Sequence, residues 1–422
     1  MSIATRKFNI VKIMLNKSMF DENIINIILQ YYWNILDGKK KILLDWIKID
    51  YLSRINIFIN PNAIDLIKEQ LEYENNLTEE EYNNLDENSR INWVYLCANP
   101  NAIEILENNL DKIDKAYWDL LDYNNKYYSG DPPIPDKIDW TQLSENPNAI
   151  KILENNLDKI DWSELTENPN AIHLLEANQD KIHWGSLSKN PNAIDLLKIR
   201  IEYENSLSRE HYNNLQNKIY WLYLCANPNA IQILENNLDK INWTELSANP
   251  NAIQILENNL DKINWTKLSI NPNAIQILEN NLDKIDWEWL SQNSNAIDLL
   301  KERIEYENNL TREEYNNLDY YNKISWDSLS GNRNAIDLLK IRIEYENSLS
   351  YEDYTNLRFL NKINWCELSY NPNAIHLLEA NQDKIDWTYN CLGFIEENPE
   401  KINYNMLSAN LSIFEDEPIP TI

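Results

Sequence analysis

The phrase Asn-Pro-Asn-Ala-Ile begins at Asn60, Asn99, Asn146, Asn168, Asn190, Asn227, Asn249, Asn271 and Asn371. Variants with Ser294 or Arg333 in place of Pro begin at Asn293 and Asn332. A chain that repeats one phrase at short intervals folds as an array of like units, each burying its apolar face against its neighbours. The spacings are 39, 47, 22, 22, 37, 22, 22, 22, 39 and 39 residues, so the basic unit has 22 residues and several units are extended.

A basic unit runs from Lys240 to Asp261 and carries two helix signals. In Asn249-Pro250, Asn is a favoured N-cap, and Pro suits the first helical turn because its missing N–H is no loss there. Asn99, Asn146, Asn168, Asn190, Asn227, Asn249, Asn271 and Asn371 are therefore expected to be helix caps. The helix is expected to run about ten residues, to Asn258-Asn259, a pair that tolerates the left-handed conformation of a helix C-terminus. It places Ala252, Ile253, Leu256 and Leu260 on one face. The second element, Trp243–Ser247, reads as a short α or 3₁₀ segment with Ile241, Trp243 and Leu246 turned inward. Helices this short are marginal alone and must be held by neighbours. The fold class expected is all-α, a solenoid of two-helix repeats with a 22-residue basic unit and several units of 37–39 residues.

Trp93, Trp140, Trp162, Trp184, Trp221, Trp243, Trp265, Trp287, Trp326, Trp365 and Trp387 share one register. An aromatic at a fixed repeat position is expected to form a core ladder, each ring burying roughly 150–250 Å². In the extended units the first helix is lengthened, as from Ile194, Ile297 and Ile336. Capping-box signals follow at Thr78 with Glu81 and Thr311 with Glu314, with weaker versions at Ser208 with His211 and Ser350 with Asp353. A further helix then carries Tyr82, Tyr212, Tyr315 or Tyr354.

Residues 1–54 lack the repeat and read as an N-terminal helical cap, with an amphipathic helix over Phe20–Leu29. The array is expected over 55–395. Residues 396–422 read as a degenerate C-terminal cap, with Tyr404 in the Trp position, and an acidic, Pro-containing tail. An irregular insertion at about 115–139 holds Tyr117, Trp118, Tyr127, Tyr128, Pro132 and Pro133, the candidate partner loop, since binding residues often sit on loops of a regular scaffold.

The chain has a formal net charge of −29, with nine Lys/Arg against five Asp/Glu in residues 1–54 and 29 against 62 beyond them. Nucleic-acid binding needs basic surface to neutralise phosphates, so an acidic body argues against it and against anionic membrane. It could steer basic protein partners. No stretch approaches 18 uninterrupted apolar residues, and Met1–Leu15 lacks the continuous apolar core of a signal peptide. A soluble, intracellular protein is the expectation. Cys97, Cys225, Cys366 and Cys391 lie at no metal-ligand spacing. Cys97 and Cys225 occupy a position where other units carry Ser or Thr, so small, buried, reduced thiols are expected. His173 and His376 share a position that elsewhere holds Gln, Asp, Glu or Lys, which reads as a solvated face. No nucleotide-binding, hydrolase or metal motif appears. No catalytic residue, metal ligand or cofactor is expected.

The phrase Asp-Lys-Ile-x-Trp-x-x-Leu-Ser-x-Asn-Pro-Asn-Ala-Ile-x-x-Leu resembles the short repeat of uncharacterised proteins of large nucleocytoplasmic DNA viruses, the mimivirus-like giant viruses. The resemblance spans roughly residues 55–390. It implies a viral source and a repeat protein, with no established activity and no functional residues to transfer. The alternation of a long and a short helix is similar in geometry to leucine-rich variant repeats, although the motif departs from theirs. The functional expectation is a non-enzymatic scaffold for protein–protein interaction, acting on host or viral proteins. A structural component of the virion and an F-box-like ubiquitin-ligase adaptor, resting on Phe20–Leu29, are the alternatives.

Overall fold

The computed structural model describes residues 40–49, 52–85, 89–110, 139–384 and 404–416. Over these residues the chain is an all-α repeat array, with one two-stranded ribbon. We number the units 1 to 12 by their repeat asparagine, from Asn60 to Asn410.

Each unit places one short helix after another. In unit 7 the Trp-bearing helix is Trp243–Ala248, capped by the Asn242 side chain, and the second helix is Ile253–Glu257. The Asn-Pro-Asn-Ala stretch between them is a turn, so the second helix starts three residues later than expected and is the shorter of the two. Leu260 consequently falls beyond the helix and is 41% exposed, while Ile255 takes the buried place. Leu246, Ala252 and Leu256 are fully buried, and their counterparts recur in the core of the other units. Asn258 ends the helix with φ −79°, so no left-handed residue is used. Instead Asn259 Nδ2 donates to the Ile255 carbonyl at 2.8 Å, satisfying a carbonyl at the helix end.

The extended units lengthen the helix that follows Asn-Pro-Asn-Ala, as expected, over Ile64–Asn75, Ile194–Ser206, Ile297–Asn308 and Ile336–Ser348. The capping boxes at Thr78/Glu81 and Thr311/Glu314 are complete. The extra helices Glu79–Asn83, Arg209–Asn214, Arg312–Asn317 and Tyr351–Thr355 follow.

The repeat asparagines, all buried, hold the units together. Asn249 Nδ2 donates to the carbonyls of Cys225 and Asn227 in the preceding unit, at 2.9 and 3.0 Å. Its Oδ1 accepts from Asn251 N at 3.0 Å, which stabilises the turn into the second helix. The same two donor bonds recur at every unit, with lengths of 2.8–3.3 Å. The capping expected of these residues is thus met by Oδ1, at a turn in most units and at the start of the 3₁₀ helix Pro372–Ala374 in the case of Asn371. The amide joins units, a role the cap reading did not include.

The ladder has no end. Asn410 donates to Ser369 and Asn371, and Asn60 donates to Ser408 and Asn410, so unit 1 sits on unit 12 as unit 7 sits on unit 6. Ser53 N donates to Ser408 Oγ at 2.8 Å, the counterpart of Asn264 N to Ser247 Oγ inside the array. Strand β1 (Lys41–Leu43) pairs antiparallel with β2 (Phe414–Asp416), with Lys41 opposite Asp416 and Leu43 opposite Phe414. The twelve described units therefore form a closed ring, each turned by about 30° from the last. The described parts of the two regions read as caps, 40–49 and 52–54 of the first and 404–416 of the second, meet each other at this closure. Arg54–Ile59 is the Trp-type helix of unit 1, Tyr404–Ala409 is that of unit 12, and the two pack together. The helix expected at Phe20–Leu29 lies outside the described residues.

Closure also sets which layer is inside. The units approach most closely at the ladder and along the Trp-bearing helices, most of which pack directly on the next. The inner circumference of a ring is the shorter one, so these helices form the inner layer. The inserts leave after the second helix, and their 3₁₀ turns Tyr320–Asn322 and Phe359–Asn361 pack on the Trp-bearing helices of their own units.

Candidate interaction face

The tryptophans are not a uniform buried ladder. Trp93, Trp184, Trp287 and Trp365 are buried, whereas Trp140, Trp162, Trp221, Trp243, Trp265 and Trp326 are half-buried. Many of the rings carry a cation. In basic units the Lys of the following Lys-Ile-x-Trp supplies it, as with Lys262 at 4.8 Å from the Trp243 ring and Lys284 at 4.7 Å from Trp265. In extended units an Arg of the long helix replaces it: Arg200 over Trp184, Arg303 over Trp287 and Arg342 over Trp326, at 4.8–4.9 Å. The displaced Lys then covers the insert tyrosine, as Lys218 does for Tyr212 at 4.6 Å. Each such contact contributes about 0.5–2 kcal/mol, depending on exposure. Trp387 lies outside the described residues.

The arginines belong to a motif that sequence reading missed. Arg303 Nε donates to Glu307 Oε1, one helical turn on, and Glu307 Oε1 accepts from Ile324 N at 2.9 Å. Arg200/Glu204 and Arg342/Glu346 repeat this arrangement, and Gln70/Glu74 is its neutral version. Burial pushes the Glu307 and Glu346 carboxyls above the usual carboxylate range, and their arginines and backbone donors oppose the shift. The recurrence of Arg-x-x-x-Glu in three of the four long helices was the available signal. These groups brace the inserts.

The cysteines behave as expected where described. Cys97, Cys225 and Cys366 are buried thiols that form no disulfide. Cys225 Sγ accepts from Asn242 N at 3.3 Å, in the manner of the serines at that position. Burial pushes the Cys97 thiol up to about 12. His173 and His376 are exposed, as the solvated-face reading requires, and His173 faces Glu154 at 2.7 Å. The candidate partner loop Tyr117, Trp118, Tyr127, Tyr128, Pro132 and Pro133 lies outside the described residues, as does Cys391.

What remains is the solvent side of the inner helices, formed by the residues one, two and five places after the Trp. Side chains from consecutive units meet there in one row. Lys189 Nζ of unit 5 lies 2.9 Å from Glu167 Oε1 of unit 4, and 4.5 Å from the Tyr223 ring centre of unit 6. Burial first, then the negative charges of Asp161, Glu145 and Glu167, raise the Glu164 carboxyl above its ordinary value, with Lys189 opposing. Burial also raises Glu288, which feels Asp286 and Asp327.

The face carries exposed apolar groups among these charges. Ile55, Ile59, Trp289 and Tyr370 are 38–49% exposed, and Leu411, in the 3₁₀ turn that follows the Trp-type helix of unit 12, is 44% exposed beside them. A groove of about 270 Å³ runs between Ile59 of unit 1, Leu411 of unit 12, Tyr370 of unit 11 and Arg333 of unit 10, across the place where the ring closes. A second, more open cleft of about 670 Å³ at units 5 and 6 is lined by Lys189, Tyr212, Lys218, Tyr220 and Tyr223. Among the described residues no three His, Cys, Asp or Glu side chains converge as a metal site would require, and no helix is long and apolar enough to cross a membrane. Comparison with protein-family models, curated proteins and solved structures finds no match.

Proposed function

We propose that the chain is a non-catalytic ring scaffold that binds protein partners on the inner face of its Trp-bearing helices. The observation that carries this reading is the contrast between two sets of positions in the same twelve units. The ladder Asn is constant, and the buried positions three before and three after it are Leu or Ile and Ala or Ile. The position just before it is Ala98, Ala226, Ala248 or Ala409 in four units, and in the others varies through Ile59, Glu145, Lys189, Gln292, Gly331 and Tyr370. Uniform packing builds the scaffold, and the variation lies where a partner would touch it. Exposed aromatic and aliphatic side chains amid charge are the composition of an interface core with a polar rim.

Twelve helices about 8–10 Å apart give a ring roughly 30–38 Å across between axes, and an opening of about 20–25 Å once the side chains are allowed for. That admits a helix or an extended segment. The charge of −29 favours a basic partner over nucleic acid or an anionic membrane. The resemblance to giant-virus repeats supports a host or viral protein, met inside the cell, as that partner.

The test is capture of a defined partner from infected host cells on the tagged chain, then repetition with Ile59→Ser, Tyr370→Ser and Leu411→Ser combined. The expected result is a loss of at least tenfold in affinity, about 1.4 kcal/mol, with helicity unchanged. Undiminished binding, or loss of binding together with helicity, would sink the reading. Recovery of capsid proteins alone would move it to a structural role in the particle.

A further inference from the structure

Eleven of the twelve unit interfaces are crossed by the chain itself. The twelfth, between units 12 and 1, joins residues as far apart as Ser53 and Ser408, 355 positions away in sequence. Its bonds are those of the other interfaces. Unit 1 supplies the amides of Asn60 and Asn62, and unit 12 supplies the carbonyls of Ser408, Asn410 and Leu411. The Lys41 and Asp416 side chains close the outer edge at 2.8 Å. The two faces are different and complementary, so this is a head-to-tail contact by its own chemistry. None of these bonds requires that donor and acceptor belong to one chain.

The seam is also where opening meets least resistance. At every other interface the connecting chain keeps separated units close, whereas here only non-covalent bonds do. The seam otherwise has the same amide pattern as its neighbours, with Asn62 Nδ2 donating to the Leu411 carbonyl at 2.9 Å.

We propose that the seam is an exchangeable interface, and that the face of unit 1 which closes the ring accepts unit 12 of a second copy, so that the chain assembles head to tail. A closed ring holds its ends together at an effective concentration of order millimolar, so closure wins when the protein is dilute. Once the seam is opened among concentrated copies, the same bonds form between molecules, and a head-to-tail contact that does not close extends into a filament.

The test uses the unaltered chain. Copies made with natural-abundance and with heavy nitrogen are mixed, unfolded in urea, and refolded either dilute or near the solubility limit. A carbodiimide then joins Lys41 Nζ to the Asp416 carboxylate as an amide, itself taking up the water lost. Size separation and mass measurement of the joined peptides tell whether its two halves came from one molecule. The expected result is like-labelled pairs only in the dilute monomer, and about half mixed pairs in oligomers refolded from equal amounts at high concentration. Monomer alone at every concentration would overturn the proposal. So would oligomers whose Lys41–Asp416 pairs are all like-labelled.

Discussion

A buried asparagine has two donors and an acceptor to satisfy, and leaving one unpaired costs about 1–3 kcal/mol. In this ring each ladder asparagine meets that demand with backbone atoms of two units. Asn271 donates to Ser247 and Asn249 and accepts from Asn273. The requirement is for a two-donor amide, which distinguishes the ladder from a simple cap. Asn271→Asp keeps the acceptor but turns a carboxylate oxygen toward two carbonyls. It should lower stability by about 3–5 kcal/mol at neutral pH. Part of that loss should be recovered as pH falls and the introduced carboxyl protonates. Urea unfolding at several pH values checks both; a loss no larger than that of an exposed cap, about 1 kcal/mol, would reduce the ladder to capping. The capping half of this role was legible from Asn-Pro in the sequence. The joining half was not, because its acceptors are backbone carbonyls, which every residue possesses.

At the scale of the element, the inserts show how one array tolerates units of different length. The long helix brings an Arg to the Trp ring that a Lys covers in basic units, and the freed Lys moves to the insert tyrosine. The buried Glu one turn further ties the next unit's backbone to the helix. Replacing Arg303 with Ala removes both the stacking on Trp287 and the charge that faces Glu307, whose side chain is 8% exposed. Stripping the partner from a buried carboxylate costs about 3 kcal/mol or more. The pH dependence has a definite sign. Burial already raises the Glu307 carboxyl in the fold, and losing Arg303 raises it further. A group held above its unfolded value contributes stability that is complete below the ordinary carboxylate range and is lost as pH rises through the raised value. The deficit of Arg303→Ala against the parent should therefore grow as pH rises from about 4 toward neutrality, and a deficit independent of pH would contradict the account. The capping boxes act in the other direction. The Thr311 hydroxyl and backbone hold Glu314 below its ordinary value, so that contribution fades as pH falls. The boxes were readable as Thr-x-x-Glu, three residues apart. The brace needed the Arg and Glu to be compared across units, and its third partner is again a backbone N–H.

For the whole molecule, repetition showed the units and hid the closure. Twenty-two-residue spacing, the Trp register and Asn-Pro gave the two-helix architecture. The last unit carries Leu407-Ser408-Ala409-Asn410, which matches Leu246-Ser247-Ala248-Asn249, but it lacks the Pro and the second Asn, so it resembles the worn end of an open array. What marks it as a ring member is only that its carbonyls face Asn60 and that Ile413 and Phe414 are buried. The per-unit turn of about 30° that brings the ends together is the sum of small packing preferences, invisible in any one unit. The residues following Asn-Pro-Asn-Ala-Ile vary between units. In the structure several of those are taken up by ion pairs between units, Lys68 with Glu104 and Lys151 with Glu107 among them. Ile55, Ile59, Trp289 and Tyr370 are exposed on the inner helices, while Ile199, Ile341 and Tyr351 are exposed on the long helices and inserts.

Closure is the claim on which the rest depends. It is tested most directly by spin-label distances in the dilute monomer, with labels at Glu69→Cys and Glu415→Cys in one variant and at Glu69→Cys and Glu257→Cys in another, both carrying Cys391→Ser. A closed ring places positions 69 and 415 side by side and sets 257 across the ring from 69, so the first distance is the shorter. An open array contradicts the account by making 69 to 415 the longer of the two.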